Sequence, residues 1–190
     1  QALLAGDALQ ALAFEFLTPQ DGSTELSVQA IQVGLLARAS GYEGMAGGQA
    51  IDLASVGVPL TEAQLRQMHK LKTGALLLCS VQLGAVCAGK PSHAVWDAFT
   101  RYAEALGLAF QVVDDILDVT SDSATLGKTA GKDAAADKPT YVSLLGLAQA
   151  QHLAEQLHAE SLAALAASGL NATATDALRA LASQVVERKN

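Results

Sequence analysis

The sequence has few aromatic residues, few cysteines and no surplus of positive charge. Aromatic residues make up 4% of the 190 positions, so the core has to be aliphatic. Cys79 and Cys87 are the only cysteines, and eight residues of helix would hold them too far apart for a disulfide. We expect two buried free thiols, which suit a reducing compartment. A net charge of -7 argues against nucleic-acid binding, which needs a basic surface.

Other signals are also missing. The four histidines (His69, His93, His152 and His158) form no HxxxH or HxH pair, and we interpret them as surface or helix-end residues. The longest apolar run, residues 74–89, contains Gln82 and is too short to span a bilayer, which favours a buried core helix. No signal peptide is visible at the start, and we expect a cytoplasmic protein without a membrane span.

No alternating strand pattern persists anywhere, and no hairpin dipeptide separates two apolar runs. The fold class is therefore predicted to be all-α, with residues 1–190 forming a single helical domain. Thr61 and Gln64 fit a capping box, and Gly169 a helix C-cap. Helices are predicted at 2–17 (buried on most sides), from a cap at Ser23 or Thr24 to about 40, at 62 to about 87, from about 92 through 118, at 140–167 and at about 173–188.

The chain is organised around residues 110–118, which carry a concentrated acidic face. On a helix, Gln111, Asp114, Asp115 and Asp118 fall within an arc of about 100°, opposite an apolar side. Like charges one turn apart destabilise a helix, so such a face favours a bound cation. Carboxylates are hard ligands that suit Mg²⁺, which also takes substrate phosphates. A solvated acidic surface is the alternative.

Lysines lie near this face in the sequence. Lys72 and Thr73 mark the change from a polar to an apolar half of one helix, where a lysine either snorkels or points at an anionic ligand. The segment 121–139 carries Lys128, Lys132 and Lys138 directly after the aspartates. A metal-binding face next to positively charged lysines suits phosphate chemistry. The alternative is an ordinary solvated loop.

The stretch 42–53 contains Gly44, Gly47 and Gly48, which are costly in a helix unless a backbone or a ligand approaches closely. Gln49 and Asp52 are three residues apart and share one face. A loose helix with a polar edge is the alternative interpretation.

Five ordered landmarks carry a family resemblance: residues 4–9, 47–53, 69–74, 110–118, and 125–128 followed by 138–141. Together they resemble the trans-isoprenyl diphosphate synthases over essentially the whole chain, and within them the bacterial branch that makes farnesyl diphosphate. The resemblance implies a helical bundle around a central cavity. It implies Mg²⁺-dependent, head-to-tail coupling of dimethylallyl or geranyl diphosphate to isopentenyl diphosphate, by an enzyme that is typically a homodimer.

The resemblance also implies roles for single residues. Asp114, Asp115 and Asp118 would be the second aspartate-rich motif and bind metal, with Asp114 the direct ligand. Lys72 and Lys128 would contact the diphosphate, with Lys138 nearby. Thr73 and Gln111 would line the path of the allylic cation, and Gln49 and Asp52 would face the cavity.

The family's first aspartate-rich motif and its basic patch for isopentenyl diphosphate have no counterpart in these 190 residues. We therefore expect a C-terminal portion of a synthase that holds half of the metal site and has no synthase activity alone. The alternatives are a geranyl or geranylgeranyl diphosphate synthase, a non-catalytic subunit of a synthase, or a binding bundle with a decorative acidic face. Intact acidic ligands and Lys128 argue against the non-catalytic subunit.

Overall fold

The computed structural model of the chain describes residues 1–120 and 139–188, and all regular structure within them is helical. A single π-helical turn, Lys70–Gly74, joins α4 to α5 without a break. The prediction of an all-α fold is confirmed. The helices are α1 (Ala2–Phe16), α2 (Leu26–Ser40), α3 (Met45–Ala54), α4 (Glu62–His69), α5 (Ala75–Cys87), α6 (His93–Thr120), α7 (Tyr141–Leu145), α8 (Leu147–Ala167) and α9 (Ala172–Glu187).

The 28-residue helix α6 lies at the centre and packs along α8, with α5, α7, α9 and the π-helical turn around it. Its inward side supplies Tyr102, Ala109 and Val112, all at 0% exposure. The hydroxyl of Tyr102 donates to the Leu178 carbonyl at 2.8 Å and so ties α9 to α6. Burial of each large apolar side chain contributes about 1.5–3 kcal/mol. Since α6 buries residues against most of the other helices, it determines how they pack.

Local signals in the sequence set several boundaries. The predicted capping box is present, because Thr61 Oγ1 accepts from the Gln64 amide and Gln64 Oε1 accepts from the Thr61 amide. A second capping box joins Thr140 to Ser143 at the start of α7. Gly146, at φ 82°, separates α7 from α8 in a conformation that favours glycine, so the helix predicted over 140–167 is two helices.

Two predictions of burial are wrong. None of the residues of α1 is buried, and Leu3, Leu4 and Phe16 are each more than 70% exposed, because no described helix packs closely over them. Both cysteines are free, but only Cys79 is buried, since Cys87 is the last residue of α5.

The stretch Glu62–Cys87 has the length and composition of a helix that could cross a membrane, with 17% of its apolar window buried. Length and composition alone are weak evidence for a span, because helices of soluble proteins meet them too. The helix that was predicted to be buried in the core is only partly buried. α5 buries Cys79, Gln82 and Val86 and leaves its other residues partly or fully exposed.

Candidate functional site

The π-helical turn places Lys72 against the glycine-rich helix α3. A Cβ on Gly48 would lie 2.1 Å from the Lys72 backbone nitrogen, so only glycine permits this approach. The predicted close backbone contact is thus confirmed. It brings Lys72 Nζ to 2.7 Å from Asp52 Oδ2, with the lysine side chain 32% exposed and the aspartate side chain 11% exposed. Asp52 therefore orients Lys72, and the partly open ammonium has two further N–H donors.

The acidic face of α6 is divided. The Asp114 side chain is 48% exposed and Asp118 is half-buried, one helical turn further on. Asp115 is only 7% exposed, and its Oδ2 accepts the Tyr141 amide of α7 at 2.7 Å. Asp115 lies at one edge of the predicted acidic arc, and α7 covers this edge; the metal-binding role predicted for the three aspartates stays a prediction. Among the described residues, no three His, Cys, Asp or Glu side chains converge as a metal site.

Arg188, directly after α9, is the nearest described cation to Asp114. Its guanidinium lies 4.1 Å from the centre of the Phe110 ring and donates to the Phe110 carbonyl at 2.8 Å. Its distance to Asp114 Oδ1 is 3.6 Å, a loose ion pair. Burial lowers the pKa of Arg188, whereas the charge of Asp114 raises it. Asp114 thus has a neighbouring positive charge but keeps a solvent-facing side.

His69, the last residue of α4, lies between these groups. Both of its ring nitrogens are inaccessible to solvent and make no hydrogen bond of standard geometry to a described residue. Burial lowers the pKa of His69 to about 4; Gln111 and the carboxylates of Asp52 and Asp114 act in the opposite direction, while Lys72 adds to the lowering. The imidazole is therefore neutral near pH 7. His69 is a helix-end residue, as one of the two predicted alternatives has it, but its ring is not at the surface; the apolar helix neighbours Leu65 and Met68 are the signal that was available.

The remaining predicted residues are less constrained. Thr73 in the π-helical turn, Gln111 in α6 and Gln49 in α3 are all half-buried. Lys128, Lys132 and Lys138 lie outside the described residues. A groove of about 850 Å³ between α4, α5, α6 and α8 is lined by none of the predicted site residues, so the acidic face does not open into it.

The site therefore brings Lys72, Asp52, Asp114, Gln111 and His69 within electrostatic reach of one another. The sequence profile of the polyprenyl synthetase family matches residues 1–175. The chain belongs to this family. It is 46% identical to farnesyl diphosphate synthase of Escherichia coli (strain K12) over 98% of its length, and 43% identical to the enzyme of that name from Haemophilus influenzae over 100%.

Solved structures of family members have the same fold. A putative farnesyl-diphosphate synthase from Marinomonas sp. MED121 matches 98% of the chain at a TM-score of 0.82 and 37% identity, and the match covers 62% of that protein. A geranyltransferase from Helicobacter pylori, complexed with magnesium and isoprenyl diphosphate, matches 97% of the chain at 0.80 and 33% identity, and the match covers 59% of it. The chain spans 63% of the two curated relatives named above.

Proposed function

We propose that this chain serves in a magnesium-dependent prenyltransferase that couples an allylic diphosphate, dimethylallyl or geranyl, to isopentenyl diphosphate and forms farnesyl diphosphate. The observation that carries the proposal is that a solvent-facing carboxylate, Asp114 on α6, and a partly open lysine, Lys72 on the π-helical turn, both lie within electrostatic reach of His69. Such a pair can hold a metal-bound diphosphate from both sides.

The donor set fits Mg²⁺. Asp114 and Asp118 offer two hard oxygen ligands one helical turn apart on an accessible face, and Mg²⁺ commonly takes one or two carboxylates together with waters and substrate phosphates. We assign the metal to these two residues and leave Asp115 out, because it is buried against α7. When bound, the metal supplies charge that neutralises the departing diphosphate.

The chain's own groups complete the chemistry. Lys72, oriented by Asp52, would donate to the diphosphate oxygens, and Lys128 and Lys138 would add charge from outside the described residues. The oxygen dipoles of Thr73 and Gln111 would face the allylic cation and stabilise its positive charge. The neutral His69 beside them adds no cation that would oppose this charge. Gln49 would line the same wall from α3.

Relatives support the proposal. Two of them are named farnesyl diphosphate synthases, and the Helicobacter pylori geranyltransferase was solved with magnesium and isoprenyl diphosphate. A second product is also represented, since the large subunit 1 of a heterodimeric geranylgeranyl pyrophosphate synthase of Arabidopsis thaliana is 42% identical. Geranylgeranyl diphosphate is therefore the alternative product, and product analysis separates the two.

We further propose that the protein is cytoplasmic and forms a homodimer. The exposed apolar side chains of α1, including Leu4, Leu9 and Phe16, give a surface that a second subunit could cover. Light scattering on the purified protein measures the subunit number directly, and a monomer at all concentrations would contradict the dimer.

The function is tested at two levels. Titration calorimetry on the 190-residue chain measures binding of a non-ionisable allylic diphosphate analogue with and without Mg²⁺. Turnover is measured with the protein in the full length that its gene encodes, by following labelled isopentenyl diphosphate into farnesyl diphosphate. We expect Mg²⁺-dependent binding in the first assay and product formation in the second.

The informative variant is Asp114→Asn, and its matched control is Asp97→Asn, which removes a charge from an exposed position of the same helix. We expect Asp114→Asn to lower kcat/KM by about 10²–10³, the usual effect of losing one group that stabilises developing charge. Asp97→Asn should leave it unchanged. Equal Mg²⁺-dependent binding by wild type and Asp114→Asn would favour a decorative acidic face.

A further inference from the structure

The buried carboxylate of Asp115 has a hydrogen-bond partner that defines its surroundings. Its Oδ2 accepts the backbone N–H of Tyr141, 26 residues further along the chain, at 2.7 Å. Tyr141 is the first residue of α7, and the first N–H groups of a helix have no partner within it. The capping box of Thr140 and Ser143 satisfies the Ser143 amide, and Asp115 satisfies that of Tyr141. Asp115 thus fastens the start of α7 to α6.

Tyr141 carries this connection onward to α4. Its side chain is buried, with 1% of the residue exposed, and its ring stacks on the His69 imidazole with centroids 5.8 Å apart and planes at 28°. His69 directly precedes the π-helical turn that holds Lys72 and Thr73. A continuous path therefore runs from Asp115 through Tyr141 and His69 to the π-helical turn that carries Lys72.

We infer that Asp115 is a positioning residue that sets the spacing between Asp114 on α6 and Lys72 on the π-helical turn, by way of Tyr141 and His69. The inference rests on the proposed function, because the spacing matters only if both groups hold one diphosphate. Displacement of a catalytic group by as little as 1 Å can lower a rate about a hundredfold. A buried anchor is the means by which a helical scaffold avoids such displacement.

The distinction between anchor and ligand predicts different responses to two substitutions of Asp115. Asp115→Asn retains an oxygen that can accept the Tyr141 N–H but loses the charge that a metal ligand needs. Asp115→Ala loses both. We expect Asn to keep kcat within about fivefold of wild type and leave the Mg²⁺ concentration for half-maximal activity within about twofold. Ala should lower kcat at least tenfold with KM nearly unchanged.

These measurements use the protein in the length its gene encodes, at a temperature where circular dichroism shows every variant fully folded. A purely stabilising role would then leave kcat of Asp115→Ala at the wild-type value. The second readout needs no substrate: hydrogen exchange of the Tyr141 amide in the 190-residue chain. Protection should persist in Asp115→Asn and fall at least tenfold in Asp115→Ala.

Three outcomes would overturn the inference: loss of Mg²⁺ dependence in Asp115→Asn as severe as in Asp114→Asn, wild-type kcat in Asp115→Ala, or an equally protected Tyr141 amide in both variants. Failure of the proposed function gives a separate result, because Asp114→Asn would then bind and turn over like wild type. The exchange measurement still decides whether Asp115 holds α7 in place.

Discussion

The π-helical turn carries two lysines whose ion pairs have almost the same length and very different surroundings. Lys70 Nζ lies 2.8 Å from Glu104, with side chains 57% and 41% exposed, and Lys72 Nζ lies 2.7 Å from Asp52, with side chains 32% and 11% exposed. Water screens the first pair and largely leaves the second unscreened, so equal distances correspond to unequal energies. Burial, and not separation, identifies the pair that the fold depends on.

Two adjacent residues on the acidic face of α6 show the same difference in burial. Asp115 is buried and bound to a backbone amide, whereas Asp114 is half-exposed and only loosely paired with Arg188. Groups that hold the structure together are enclosed, and groups available for a metal or a phosphate remain open on one side. Substitutions in each of the two groups test this division.

The largest change in stability is expected where α3 approaches the π-helical turn. Gly48→Ala would place a methyl group 2.1 Å from the Lys72 nitrogen, and backbone cannot move aside as a side chain can. We expect the free energy of unfolding to fall by about 3 kcal/mol, the upper end for overpacking. Urea unfolding measures the change.

The matched control is Gly84→Ala in α5, where an added Cβ meets nothing within 4 Å. Helix propensity alone should then raise stability by about 0.5–1 kcal/mol. The same change at both positions would contradict the close contact of α3 with the turn.

The two lysines themselves give the most direct comparison. Lys72→Met removes a 2.7 Å ion pair from a largely buried carboxylate and should cost about 2–3 kcal/mol, less than a fully buried pair because Lys72 is one-third exposed. Lys70→Met should cost no more than about 0.5 kcal/mol. Unfolding of both variants by urea checks the prediction, and equal losses would remove burial as the explanation.

The pH dependence of stability should report the enclosure of His69. Its pKa is about 4 in the fold against 6.5 ordinarily, so between these values the unfolded chain binds the proton and the folded chain does not. Stability should therefore fall as pH drops from about 6.5 towards 4, by an amount on the order of 2 kcal/mol. His69→Phe, which can keep the stack on Tyr141, should lose less stability over this range.

Unfolding of both proteins at a series of pH values supplies this comparison. Every carboxylate is common to both proteins, so the difference between the two curves isolates His69. Superimposable curves would mean that His69 is charged as readily in the fold as in water.

The smallest effect is expected at the loose ion pair between Arg188 and the half-exposed Asp114. Arg188→Gln removes the positive charge 3.6 Å from Asp114 and should strengthen Mg²⁺ binding in the presence of pyrophosphate about fivefold, since a loose pair with a half-exposed carboxylate contributes about 1 kcal/mol. Calorimetric titration of the chain measures it. Arg179→Gln, within α9, where the Arg179 guanidinium donates to Thr175 Oγ1, is the control and should leave the affinity unchanged.

Sequence patterns predicted the structural features that depend on residues close together in the chain. The helices, the capping box at Thr61 and the acidic character of α6 all follow from residues within a turn or two of one another. The close approach at Gly48 was also foreseeable, because glycines inside a helix need a reason. Family landmarks then added the expectation of a bundle around a cavity and the proposed roles of Asp114 and Lys72.

What escaped prediction depends on distant contacts. A helical projection cannot tell which edge of the Asp114–Asp118 arc will be covered, since the covering residue, Tyr141, is 26 positions away. The burial of His69 has the same cause, because Tyr141 stacks on it. The exposure of α1 reflects an absence of packed neighbours among the described residues, which an apolar sequence cannot reveal.

The π-helical turn has a consequence for protein engineering. A π-helical turn holds one residue more than an α-helical turn. α4 and α5 therefore form one continuous rod, in which the residue numbering of α5 is shifted by one position relative to an uninterrupted α-helix. Deleting one residue between His69 and Ala75 would convert the turn to an α-helical one and keep Cys79 and Val86 facing the interior, whereas deleting a second would rotate everything downstream by about 100° and turn them towards water. Chimaeras that splice the front of this rod from one relative onto the rear of another must therefore keep the extra residue of the π-helical turn matched to the half of the rod that carries Lys72.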